Sequence, residues 1–146
     1  RGAADALEAA RDGPVETADA ETALGPVRLT GAEGGFTLAS GIAGTAELLA
    51  RYPDVDGVFA ANDLMAQGAC RLLRERGKRV PGDVAVVGFD DSGVAATCEP
   101  PLTSVRQPVE RMAEEMARLL DSQVRGEAGA ATGVVFDPEL VVRESA

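Results

Sequence analysis

At 146 residues and 45% apolar content, the chain is long enough to build one ordinary domain around a buried core. A formal net charge of −10 sets its average surface against a polyanion, so this chain alone is not expected to hold DNA. Histidine is absent, which excludes Ser-His-Asp and Cys-His catalysis within the chain and removes the commonest transition-metal ligand.

No apolar run reaches the length of a membrane span, and no basic start precedes an apolar stretch and a cleavage site. Cys70 and Cys98 are too few and too far apart for a disulfide framework or a CxxC zinc site. They read as reduced thiols, Cys70 in a helix and Cys98 in a loop.

In chain order, GAADALEAARDG (residues 2–13) predicts a short helix with a glycine stop, followed by an acidic loop to Thr22. Val27 to Thr30 reads as a short strand, ended by Gly31, Gly34 and Gly35 just before Phe36. From Ala39 to Arg51, Ile42, Ala46, Leu49 and Ala50 make one buried stripe of a helix that Pro53 stops. Val55 to Ala61 suits a strand buried on both faces of a parallel sheet.

Asn62 is placed to cap the next helix, where Met65, Ala69, Leu72 and Leu73 repeat at helical spacing and Gly77 supplies the stop. Asp83 to Phe89 is a third apolar strand and breaks off in the polar loop Asp90-Asp91-Ser92-Gly93. A strand over Leu102 to Val105 follows Glu99-Pro100-Pro101, and Pro108 opens a long helix with Val109, Met112, Ala113, Met116, Leu119 and Leu120 on one face. Gly126 ends it. Val134 to Phe136 and Glu139 to Arg143 read as two short strands separated by Asp137-Pro138.

This alternation implies an α/β fold, an open parallel sheet flanked by helices, with ligands bound beyond the carboxyl ends of the strands. The residues just past the first three strands are Phe36, Asn62 with Asp63, and Asp90 with Asp91. An aromatic face, an amide and a carboxylate on one rim suit a polyhydroxylated ligand such as a sugar or nucleoside. Each has a plainer reading: Phe36 as core filler, Asn62 as a helix cap, and Asp90-Asp91 as a turn or an acidic metal site.

GAEGG lacks the spacing and the lysine of a phosphate loop. The run Arg71, Arg74, Glu75, Arg76, Lys78, Arg79 reads as the wet face of one helix, and Met112 and Met116 as core packing.

Three stretches, DVDGVFAANDLMAQGACRLLRERGKRVPGDVAVVGFDDS, EPPLTSVRQPVERMAEEMARLL and ELVVRES, together resemble the C-terminal half of LacI/GalR transcription regulators. The resemblance runs from about Val27 to the end. It implies a type I periplasmic-binding-protein-like effector domain, mainly its C-terminal lobe. Residues 1–106 would form that lobe, 107–136 a segment of the N-terminal lobe, and 137–146 a strand returning to the first. The DNA-reading helix-turn-helix domain would lie outside this chain.

The resemblance further implies a cytoplasmic homodimer that takes a small-molecule effector, a carbohydrate or its relative, and touches DNA only through that other domain. It assigns ligand binding to Phe36 as the stacking aromatic, Asn62 as the amide contact and Asp90 as the hydroxyl-binding acid, with Gln107 near the lobe crossover. No catalytic residue, metal ligand or cofactor is expected. Arg1 should not inherit the family's ligand-binding arginine, whose position falls upstream. The competing readings are a sugar-binding protein of a transport system and an acidic-site, metal-dependent hydrolase using Asp90 and Asp91.

Overall fold

The computed structural model describes residues 29–126 and 133–146, in which helices and strands alternate. Helix α1 (Leu38–Arg51) begins at a reciprocal cap: Thr37 Oγ1 accepts from the Ser40 amide, and Ser40 Oγ accepts from the Thr37 amide. Strand β1 (Gly57–Phe59) leads into helix α2 (Asp63–Glu75), capped by Asn62 Oδ1 on the Met65 amide at 2.9 Å. Gly77, at φ +73, turns the chain out of α2.

The two helices meet at two glycines. A Cβ on Gly41 would collide with the Met65 carbonyl, and one on Gly68 with the Leu38 carbonyl, so the backbones of α1 and α2 are in direct contact. That contact seats α1 on α2, and α2 lies in turn on the sheet.

Strands β2 (Ala85–Asp90), β3 (Thr103–Arg106) and β4 (Glu139–Val141) complete a four-stranded sheet in the order β1-β2-β3-β4. The first three strands are parallel; β4 runs antiparallel to β3, with Glu139 opposite Arg106. The core lies between α2 and the sheet, where Leu73, Val84, Val86 and Leu102 are fully buried. A short helix α3 (Gly93–Thr97) stands where the sequence predicts only loop.

The ELVVRES ending is a structural staple. Buried Ser145 accepts from the Thr103 amide and donates to the Val86 carbonyl through its hydroxyl, while its own carbonyl accepts from the Val86 amide. It thus bridges β2 and β3 where their own ladder has not yet begun.

Several expectations are corrected. The open parallel sheet expected is present over its first three strands; only the final strand, whose direction the sequence left unstated, runs antiparallel. Strand β1 is also less buried than expected: Phe59 is 65% exposed, because α2 covers the face that carries Val86 and Gly88 while Phe59 and Phe89 meet edge to face on the other. Residues 134–136 form no strand, since β3 ends at Arg106 opposite Glu139 and offers no further partner. Leu29 and Thr30 belong to no strand; Val27, Arg28 and the predicted helix over residues 2–13 lie outside the described residues.

Helix α4 (Val109–Val124) has the predicted apolar stripe, yet none of its residues is buried. Val109, Met116, Leu120 and Val124 are all exposed, so Met116 is not the core filler its spacing suggests.

The α1–α2 contact is testable by one methyl group. Gly68→Ala is expected to cost about 2 kcal/mol or more, since the obstruction is backbone and no rotamer relieves it. Urea denaturation of wild type and variant would measure the loss, and an unchanged midpoint would contradict the close approach.

Candidate functional site

The carboxyl ends of β1 and β2 open onto the rim that the sequence singles out. Among the described residues, the only non-glycine positions with positive φ are Phe36 (57°), Asp90 (98°) and Asp91 (51°). All three belong to this rim. L-residues enter that region at a cost, and a structure keeps them there only when surrounding contacts hold them.

The holding contacts centre on Asp63, the first residue of α2, which is 1% exposed. Its Oδ2 accepts from the Ser92 amide at 2.6 Å and the Ser92 hydroxyl at 2.8 Å, and its Oδ1 accepts from the Ser104 hydroxyl at 2.6 Å. Ser104 Oγ then accepts from the Asp91 amide at 3.1 Å. One buried carboxylate therefore ties α2, the loop after β2, and β3. The positive end of the α2 dipole and three donated hydrogen bonds offset its loss of hydration. Gly88 makes room for it, as a Cβ there would stand 2.5 Å from Asp63 Oδ1.

The four predicted site residues fall into two hydrogen-bonded pairs on this frame. Asn62 Nδ2 donates to the Phe36 carbonyl at 3.1 Å, and Gln107 Nε2 donates to Asp90 Oδ1 at 2.8 Å. Asn62 is also the helix cap, so the plainer reading holds for its oxygen while its nitrogen fixes the Phe36 loop. Phe36 is 62% exposed, which removes the core-filler reading for its ring. The pairs are joined through the Asn62-Asp63 peptide and the Asp63–Ser92 hydrogen bonds.

Asp90 and Asp91 part company. Asp90 is exposed at the rim, whereas the Asp91 side chain is 4% exposed and lies between Arg106 Nη2 at 2.6 Å and Arg143 Nη1 at 2.7 Å. Burial raises its pKa, but the Arg143 and Arg106 guanidiniums outweigh that and hold the carboxyl below the usual carboxylate range. With both oxygens facing guanidinium cations, Asp91 is a poor ligand for a divalent ion. Among the described residues no group of three or more His, Cys, Asp or Glu side chains could hold a metal, and no helix is long and apolar enough to cross a membrane.

Sequence reasoning left Asp63, Ser104 and Arg143 without a role. A carboxylate at the first turn of α2 looks like an ordinary dipole partner, and nothing in the spacing shows that it turns inward. Two shallow cavities, of about 480 and 290 Å³, lie elsewhere, around Cys70, Arg74 and Glu99. They include none of the rim residues. Cys70 and Cys98 are both free and buried there, and the proximity of the two thiols pushes the Cys70 pKa up and lowers that of Cys98 to about 7.

This parallel-dominated sheet with a polar rim at its strand ends has known counterparts. Residues 4–146 match the periplasmic binding protein-like domain family, and the chain belongs to it. Its relatives are LacI-type regulators. The transcriptional regulator CelR of Thermobifida fusca is 57% identical over 112 residues, which is 77% of this chain and 33% of that protein. MalR of Streptomyces coelicolor is 46% identical over 110 residues, 75% of this chain and 31% of that protein. A solved CelR–cellobiose complex superposes with a TM-score of 0.75 at 57% identity, covering 77% of this chain and 35% of the other. The chain thus spans about a third of the length of the relatives it matches.

Because the Asp91 pKa is depressed on folding, its contribution is full above the unfolded value, near pH 4, and is lost as pH falls through the folded one. Asp91→Asn is therefore expected to cost about 3 kcal/mol at neutral pH, with the difference from wild type shrinking below about pH 4. Urea denaturation across that range would show it, and a gap that stays constant would place the Asp91 contribution outside its charge.

Proposed function

We propose that this chain is the effector-binding and dimerisation portion of a cytoplasmic LacI-family transcription regulator, and that its effector is a carbohydrate of the cellobiose type. The observation that carries this reading is the rim itself, where an exposed aromatic ring, two amides and an exposed carboxylate converge on strained backbone. Phe36 offers a flat apolar face to the C–H side of a pyranose ring. Gln107 occupies one oxygen of Asp90 and leaves the other to accept from a sugar hydroxyl, while Asn62 Nδ2 has a second N–H to donate.

The cellobiose complex of the CelR relative supports the choice of sugar. The regulator names of both relatives favour this reading over a transport protein, and the double guanidinium lock on Asp91 disfavours the metal-dependent hydrolase. We assign no catalytic role to the chain.

The exposed apolar stripe of α4 supports a two-lobed protein, in which residues 107–136 complete the N-terminal lobe and 137–146 return to the C-terminal one. The effector would then sit between lobes and bias their relative orientation, and with it the spacing of paired DNA-reading domains. DNA contact belongs to a helix-turn-helix domain of the intact protein.

The intact protein titrated with cellobiose is expected to melt at higher temperature, with a stabilisation of about 2.7 kcal/mol when ligand reaches a hundred times Kd. Asp90→Ala should abolish the shift. A shift that survives in Asp90→Ala, or one produced by a divalent metal and by no carbohydrate, would contradict the assignment.

A further inference from the structure

We infer that Asp91, acting through Arg106 and Arg143, is a positioning residue for effector recognition: it fixes Asp90 and Gln107 in the arrangement that meets a ligand hydroxyl. The inference rests on the reading of this rim as the effector site.

Asp91 is too buried to touch a ligand, at 4% side-chain exposure, so any influence on binding has to pass through its neighbours. Asp90, in contrast, is exposed, sits at φ 98, and has Gln107 as its side-chain partner. One solvent-exposed hydrogen bond from the half-buried Gln107 is a weak hold on a backbone conformation that L-residues rarely adopt. The stronger anchor is the next residue.

Three lines run from Asp91. Its amide donates to Ser104 Oγ at 3.1 Å, its Oδ2 accepts from Arg106 Nε at 2.8 Å, and its Oδ1 lies 2.7 Å from Arg143 Nη1. Arg106 stands opposite Asp90 in the β2–β3 register, and Gln107 is the residue that follows it. Pinning Arg106 therefore sets where Gln107 leaves β3 and hence whether its amide reaches Asp90. Arg143 adds the strand behind: its Nη1 also donates to the Leu102 carbonyl, and Arg106 in turn meets Glu139 of β4 at 3.5 Å.

The Asp91 carboxylate thus clamps the exit of β3 and the residues after β4 to the loop that carries Asp90. Charge-assisted contacts to a buried carboxylate, met by two guanidiniums at once, are strong enough to hold such a geometry although Arg106 is itself half exposed. Removing the charge while keeping the shape should loosen Gln107 from Asp90 and weaken ligand binding without removing any ligand contact.

The test is calorimetric titration of cellobiose into the intact protein as wild type, Asp90→Ala, Asp91→Asn, Gln107→Ala and the Asp91→Asn/Gln107→Ala pair. Asp91→Asn is expected to weaken binding about tenfold, and in the Gln107→Ala background to add little further loss, because both changes break one arrangement. The Gln107 side-chain amide signal, identified by its absence in Gln107→Ala, should move in Asp91→Asn toward the position of a solvated glutamine.

Wild-type affinity in Asp91→Asn, alongside lost binding in Asp90→Ala, would overturn the positioning role and leave the effector reading intact. Additive losses with an unmoved Gln107 signal would also overturn it, as they mark a purely structural role. If wild type takes up no cellobiose, the effector reading fails and the inference falls with it. Should Asp91→Asn not fold, Arg106→Gln leaves Asp91 paired with Arg143 and carries the same test: about tenfold weakening supports the role, and unchanged affinity overturns it.

Discussion

The Asp63 carboxylate, buried at the start of α2 and hydrogen-bonded to Ser92 and Ser104, is the interaction on which the rim depends. A charged group in that position is costly unless it is hydrogen-bonded, and here three donated bonds come from the loop after β2 and from β3. These bonds fix the loop after β2 against both α2 and β3. The glycine at position 88 follows from the same demand, since the strand has to pass beside the carboxylate with no side chain of its own. The backbone contact of Gly41 and Gly68 then sets α1 on α2 and brings Thr37 and the Phe36 loop to the same edge.

From that frame the chemistry follows in order. Three strained residues stand together because two anchored segments present them: Phe36 through the Asn62 amide, and Asp90 and Asp91 through Ser104, Ser92 and two arginines. The adjacent aspartates divide their labour by burial. Asp91 faces inward to cations, and Asp90 faces outward with its carboxylate partly free to accept. The exposed ring of Phe36 and the exposed stripe of α4 agree with a site that needs a second wall.

Much of this was legible in the sequence. Apolar periodicity places α1, α2 and α4 within a residue or two of their observed bounds, and Asn62 and Gly77 mark the ends of α2 as their cap chemistry requires. Strand order gives the rim, and with it the positions of Asn62 and Asp90; Phe36 follows no strand among the described residues and is held there through its carbonyl by Asn62. What periodicity could not give is which side of an element finds a partner. Phe59 and Met116 carry the pattern of buried residues, yet lie on faces without cover, because pattern reports amphipathicity and not contact. The antiparallel sense of β4 was equally hidden, as it depends on the long connection through α4. The Asp63, Asp91, Arg106 and Arg143 network joins residues far apart in the chain, and local spacing carries no signal of it.

The most direct test of the central claim is hydrogen–deuterium exchange of the intact protein with and without cellobiose. The account predicts added protection at residues 36–38, 62–65, 89–93 and 104–107, the segments that meet at the rim. Protection confined to the surface around Cys70, Arg74 and Cys98, with the rim unchanged, would contradict it.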